Sequence, residues 1–358
     1  MTGKRERRAP LHNVLVPTTR RAALLALVVL SSIAAAPQPP GPAPAPALGL
    51  DINLPSGAPA AEQQRAFESV RRTGVSLYAL TLSWSAAEPS PGKYRIDDLT
   101  RTARLLRQSG ALLHLDLPLV VLRSRDVPAD LEAVAFDDSR LSLRLGRLLD
   151  ALEPALRDIA TLSLGYEADV YFADKPDELR AYRRLFDGAV NFLGKKLPAL
   201  KVGVTTLAPT ESPAPAVAAV LHQRSPVLFY IYAPFEQGRP YAHRPPDAIE
   251  KDWKALLGQS GDRLIAFPEV SYSSSPENGS TPEKQAEFVL RMRRLMGAAD
   301  GRRLLFARWV SWRDEEPQAS SGASEIDRRR AAFLANRGLE TANGGSKPAW
   351  RAWVRAGS

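Results

Sequence analysis

From residue 49 onward, eight short β-rich runs alternate with amphipathic stretches, and this alternation constrains the fold more than any other feature of the chain. Strands are predicted at Gly49–Asn53, Val75–Leu82, Ala111–Leu117, Ala160–Tyr166, Lys201–Leu207, Val227–Ala233, Arg263–Glu269 and Arg303–Trp309. Helical patterns lie between them at Glu62–Arg72, Asp97–Ser109, Leu141–Arg157, Pro176–Leu193, Glu283–Leu295 and Glu325–Asn336. In the third of these, Leu141, Leu145, Leu148, Leu149 and Leu152 recur at spacings of three and four, which makes one buried stripe. Strand–helix alternation favours a parallel sheet with crossover helices. Eight units over roughly 250 residues match a single-domain α/β fold of the (β/α)8, or TIM, barrel type. A doubly wound sheet is the alternative. It normally carries a Gly-rich phosphate loop after its first strand, and Asp51-Ile52-Asn53-Leu54-Pro55-Ser56-Gly57 has none.

The segment before this array reads as an address. Lys4, Arg5, Arg7, Arg8, Arg20 and Arg21 precede an apolar run from Ala22 to Ala36, shorter than the roughly 20 residues a membrane-spanning helix needs. Thr19-Arg20-Arg21-Ala22-Ala23-Leu24 resembles a twin-arginine signal. Residues 1–36 are therefore expected to be an export signal, 37–47 a Pro/Ala tether, and 48–358 the barrel, placed in the periplasm or outside a bacterial cell. No transmembrane domain is expected unless the leader stays uncleaved. Oligomeric state is left open.

Charge and composition then remove several functions. The leader holds six Lys/Arg and one Glu, so only +4 of the net +9 remains on the rest of the chain. Without an aromatic-interleaved basic stripe, that is too little for a nucleic-acid surface. Cysteine is absent, which excludes a disulfide scaffold, a thiolate site and a cysteine nucleophile. His12, His114, His222 and His243 never share one short motif, so no zincin-type metal site is expected and no cofactor is called for. The run Asp327-Arg328-Arg329-Arg330 reads as a solvated helix face, and Asn278-Gly279-Ser280 as an accidental sequon.

Chemistry in such a barrel sits at the C-terminal ends of the strands. By twofold periodicity Ser163, Gly165 and Glu167 share a face of the fourth strand, and Ile265, Phe267 and Glu269 share a face of the seventh. Two carboxylates at one rim are what retaining cleavage of a glycosidic bond requires. At roughly 5–5.5 Å apart, one protonates the leaving oxygen while the other attacks the anomeric carbon. His114 and Asp116 lie on one face of the third strand and are candidates for binding hydroxyls. Asp51 and Asn53 stand at the end of the first.

The chain resembles the clan-A retaining glycoside hydrolases over residues 49 to about 355. The resemblance rests on four segments in order. They are Trp84 with Glu88-Pro89-Ser90-Pro91-Gly92-Lys93-Tyr94; Leu164-Gly165-Tyr166-Glu167; Pro268-Glu269-Val270-Ser271-Tyr272-Ser273-Ser274; and Gly338-Leu339 with Gly345-Ser346-Lys347-Pro348-Ala349-Trp350. The third segment is most similar to bacterial endo-galactanase-like members. The resemblance implies Glu167 as acid/base, Glu269 as nucleophile, Tyr232 as a hydrogen-bond partner of Glu269, and Trp309 as a platform under a sugar ring. Trp84 would be a further substrate contact, and the partner would be a β-linked poly- or oligosaccharide. One position departs from the pattern: the family's Asn before the acid/base is Tyr166 here. A phenol cannot reproduce an amide's contact with the sugar 2-hydroxyl. The alternative expectation is thus a barrel that binds glycan without cutting it.

Overall fold

The computed structural model describes residues 44–54, 57–316 and 324–356; the expected leader and residues 37–43 of the tether lie outside them. Eight strands form the barrel wall: β1 Ala47–Leu50, β2 Leu77–Thr81, β3 Leu112–Asp116, β4 Thr161–Ser163, β5 in two pieces (Lys201–Gly203 and Thr205–Leu207), β6 Val227–Tyr232, β7 Leu264–Val270 and β8 Leu304–Trp309. All their pairings are parallel. β1 bonds both β2 and β8. The break in β5 falls at Val204, so its first piece pairs with β4 and its second with β6, and the ring closes. Thr205 N–H bridges the break by donating to the Gly165 carbonyl and to Ser163 Oγ.

The helices α1 Ala60–Arg71, α2 Asp97–Gln108, α3 Ser139–Leu156, α4 Pro176–Lys196, α5 Pro215–Leu221, α6 Ala248–Gln259, α7 Pro282–Ala298 and α8 Pro348–Arg355 surround the wall. On α3 the expected stripe, Leu141 to Leu152, is buried and burial continues to Leu156, and Asp138 starts the helix by accepting from Arg140 N–H. The helices α5, α6 and α8 have no counterpart among the sequence expectations. α8 packs on α7, and its Trp353 Nε1 donates to Thr73 Oγ1, just past the end of α1, at 2.9 Å. Among the described residues no helix is long and apolar enough to cross a membrane.

The barrel interior changes character along its axis. Leu77, Val227, Phe229, Ala266 and Phe306 fill its lower part as an apolar plug. Above them polar side chains pair within the barrel: His114 with Thr161 and Asp116, Ser163 with Thr205, and Arg308 with Asp51. Buried polar groups need such partners, and their placement above the plug gives a dry floor and a polar mouth. Gly203 makes room for the plug, because a Cβ there would lie 2.8 Å from the Phe229 ring and 2.9 Å from the Val227 carbonyl oxygen. Gly203→Ala is expected to destabilise the protein by about 1–3 kcal/mol, the usual cost of overpacking a core. Urea unfolding checks this, and an unchanged midpoint would show that the ring can yield.

Two expectations about facing are corrected. β4 ends at Ser163, so strand alternation does not carry Glu167 to the rim, and Gly165 is backed by Tyr182, Val204 and Ala168 on the helix side. In β7, Ile265 and Phe267 point outward, Phe267 stacking on Trp253 of α6 at 4.4 Å. The register shifts between Ala266, opposite Phe229, and Glu269, opposite Ile231, with three residues spanning two. This bulge at Pro268, which has no N–H to give to the ladder, reverses parity and turns Glu269 inward.

Candidate active site

Glu269 is brought to the mouth by the β7 bulge, and Arg308 on β8 holds the bulge by donating from Nε to the Pro268 carbonyl at 2.5 Å. Both carboxylate oxygens of Glu269 are occupied. Oε2 accepts from the Tyr166 hydroxyl at 2.6 Å and Oε1 from Arg337 Nη1 at 3.1 Å. Tyr166 is a firm donor: burial, with Glu269 and Glu167 nearby, holds its hydroxyl well above the ordinary tyrosine range.

Glu167 reaches the mouth by a turn. Its backbone is left-handed, φ 49° and ψ 43°, at the head of the helix Ala168–Phe172. A non-glycine residue in that region is strained by about 1–2 kcal/mol, and such strain concentrates at functional sites. Beneath it, Asp169 accepts from Leu207 N–H and Ser212 Oγ, which ties the β4 and β5 loops together. Desolvation first, then the charges of Glu269 and Asp169, push the Glu167 carboxyl up from 4.5 to about 8. Arg330 and Arg337 oppose that rise, so Glu167, Glu269 and these two guanidiniums share one electrostatic neighbourhood. Glu167 is thus a raised acid, while Glu269 is tied down by two donors, Tyr166 and Arg337.

Several expected contacts lie elsewhere. Tyr232 faces outward and its hydroxyl donates to Asp252 at 2.8 Å, so it does not hold Glu269. Tyr166 holds it instead, from the position where the resemblance calls for Asn. Trp309 also faces outward, opposite Val270, and is fully buried. Its Nε1 donates to the Arg337 carbonyl at 3.0 Å, so it braces the backbone of Arg337 and offers no face to a sugar. Trp84 is fully buried among the helices. It donates to Glu88, which also accepts from Gly92 N–H and Arg144 and pins the turn to α3. His114 is sealed between Thr161, Phe229 and Phe306 and meets no solvent. Asp116, also buried, lies under the mouth, where its charge acts on Arg308. Asn53 ties loops together through the Arg313 backbone.

Three residues whose charges bear on this site were not among the expected site residues: Arg308, Arg337, and Arg330, which read only as part of a solvated run. Burial works against the charge of Arg308, yet Asp51, Asp116 and Glu269 around it raise its pKa and keep it cationic. Its inward parity with Phe306 was a readable signal. Arg330 and Arg337 come from the excursion between β8 and α8, whose helix Glu325–Ala335 docks on the hairpin Phe235–His243 through Phe333, Phe235 and Tyr241. No strand pattern announces them. Tyr166→Phe keeps the ring and deletes the bond to Glu269. A hydrogen bond to a charged group is worth about 1.5–3 kcal/mol, so urea unfolding of that variant is expected to show a loss of stability of about that size, and an unchanged midpoint would show that the bond adds nothing net.

No protein-family model matches the chain, and no curated protein does. Solved structures do. A variant of GH5_18 from Streptomyces cattleya in complex with Manb1-4GlcNAc superposes with TM-score 0.65 at 15% identity, over 87% of this chain and 80% of that one. GH5_18 from Bifidobacterium longum subsp. longum gives 0.60 at 15% identity, over 87% and 78%. Native xylanase 10B from Thermotoga maritima gives 0.54 at 14% identity, over 87% and 94%. The sequence is thus far from these glycoside hydrolases, while the chain has their fold, the (β/α)8 barrel.

Proposed function

We propose that the protein is a glycoside hydrolase cleaving a β-linked poly- or oligosaccharide by double displacement, with Glu167 as acid/base and Glu269 as nucleophile. One observation carries this reading: a carboxyl raised to about 8 stands beside a carboxylate held by Tyr166 and Arg337, at the C-terminal mouth of the barrel. In the first step Glu269 attacks the anomeric carbon while Glu167 gives its proton to the departing oxygen. Glu167, now a carboxylate, takes a proton from water as that water displaces Glu269 from the sugar. Manb1-4GlcNAc in the Streptomyces cattleya structure supports a β-linked substrate. The basic, apolar leader supports export to the periplasm or beyond, by the twin-arginine route.

A second reading, a barrel that binds glycan without turnover, is favoured by Tyr166 and by the double occupancy of Glu269. Release of reducing ends from a panel of plant and bacterial polysaccharides separates the two. A hydrolase liberates them and loses that activity in Glu269→Gln. A binder retains glycan on affinity gels with no release.

A further inference from the structure

Arg337 touches Glu269 with little else to aim it. Nη1 donates to Glu269 Oε1 at 3.1 Å, Nη2 stands 3.8 Å from Glu315, and Nε is buried with no partner among the described residues. Its direction therefore depends on the backbone that carries it, and that backbone is held at three consecutive residues. The Asn336 carbonyl accepts from Ser274 N–H at 3.0 Å and from Gln285 Nε2 at 3.3 Å, and the Arg337 carbonyl accepts from Trp309 Nε1 at 3.0 Å. Gly338 N–H donates to Asp314 Oδ1 at 2.9 Å. Only glycine fits there, because a Cβ would lie 2.0 Å from the Asp314 backbone nitrogen. One further side chain spans the set. Lys347 Nζ donates to both oxygens of Asp314, at 2.9 and 3.1 Å, to the Gly338 carbonyl at 2.8 Å and to the Asn336 carbonyl at 3.4 Å. Three N–H donors thus meet three acceptors: a carboxylate and the carbonyls before and after Arg337.

We propose that Lys347 and Asp314 are positioning residues for Glu269: by fixing the backbone on both sides of Arg337 they set the guanidinium that steadies the nucleophile. The claim rests on the hydrolase reading and adds to it the support of its nucleophile. Lys347 is only 6% exposed, and a buried ammonium is costly unless its donors are bonded. Burial pushes Lys347 down and Asp314 up, and the charge of each opposes the shift of the other. A buried ion pair is weak evidence for stability, since apolar residues of similar size often replace one without loss. What this pair supplies is placement. Lys347 stands immediately before α8, and α8 packs on α7. The outer helix ring thus reaches Glu269 through Lys347, the Asn336–Gly338 backbone and Arg337. Displacing a reacting group by about 1 Å from a distance can cost about 10²-fold in rate.

The test uses the full chain with Lys347→Met and Asp314→Asn together, with Lys347→Arg, with Arg337→Gln, and with the first pair combined with Arg337→Gln. Asp314→Asn accompanies Lys347→Met so that no unpaired charge is buried, and the amide oxygen can still accept from Gly338 N–H. Lys347→Arg keeps the charge, but a planar fork cannot meet the same three acceptors; it carries the same measurements should the paired variant not fold. The first readout needs no turnover. Trp309 is one of six tryptophans, and its indole N–H is assigned in ¹H–¹⁵N spectra with Trp309→Phe. That signal reports on the Arg337 carbonyl and is expected to move in the paired variant, while that of Trp253, stacked on Phe267 outside the barrel, stays. The second readout is turnover of an activated aryl β-glycoside, where kcat is expected to fall about 10–100-fold with KM held within about threefold. On top of Arg337→Gln the paired substitutions should add little, because both act through one contact. A folded variant with an unmoved Trp309 signal overturns the proposal, as does a loss that adds in full to that of Arg337→Gln or one that falls on KM. A wild type that cleaves no glycoside overturns the hydrolase reading, and the Trp309 signal then decides by itself whether the pair places Arg337.

Discussion

Glu269→Gln is expected to lower kcat on an aryl β-glycoside by about 10⁴-fold or more, the scale seen when a nucleophile acting within a catalytic unit is removed. The substitution is nearly isosteric, and the amide oxygen can still accept from Tyr166 or Arg337, so the barrel mouth should keep its shape. What disappears is the charge proposed to attack the anomeric carbon. The remaining amide would present N–H to one of two existing donors, a mismatch that costs about 1–3 kcal/mol. A small fall in thermal midpoint should therefore accompany the large fall in rate. Added azide should not restore retaining turnover, because azide cannot take the place of a nucleophile that returns the sugar to its original face. The measurement is initial rate by chromophore release, beside the thermal midpoint. A rate within tenfold of wild type would remove Glu269 from the mechanism.

How much of this site could be read without coordinates depends on which interactions place each residue. The eight strands and six of the helices follow from local periodicity, and observed bounds fall within a few residues of those expected. Side-chain facing is less local. Twofold alternation holds in β6, where Phe229 faces in while Tyr230 and Tyr232 pack outside. In β7, Glu269 owes its direction to a register shift against two neighbouring strands. The Pro268-Glu269 pair hints at the bulge, but alternation alone would have sent Glu269 outward with Phe267. The same outward parity takes Trp309 and Tyr232 out of the mouth, and the resemblance had assigned both to it. Arg337 is placed by tertiary docking alone, its backbone bonded to Trp309 and its ring-facing side set against Phe333 at 6.0 Å. The run Asp327-Arg328-Arg329-Arg330 reads as solvated along the chain, and Asp327, Arg328 and Arg330 are exposed, although the charge of Arg330 still reaches Glu167.

The acid/base role proposed for Glu167 predicts a rate loss that depends on the leaving group. Glu167→Ala should reduce kcat about 10²–10⁴-fold on a native β-linked oligosaccharide, whose departing oxygen needs the proton. A dinitrophenyl glycoside, whose phenolate departs unaided, should lose far less in its first step. Deglycosylation would then become limiting for want of a base, and azide should accelerate it by giving a β-glycosyl azide. The wild-type pH profile follows from the sign of the shift. Burial and the charge of Glu269 raise the Glu167 carboxyl from 4.5 to about 8, so it stays a usable acid up to that pH. kcat/KM on the oligosaccharide should fall as pH climbs through about 8, and the limb should vanish in the alanine variant. If the alanine variant lost oligosaccharide and dinitrophenyl activity equally, with no response to azide, Glu167 would be holding the mouth in shape, and its proton would have no part in bond cleavage.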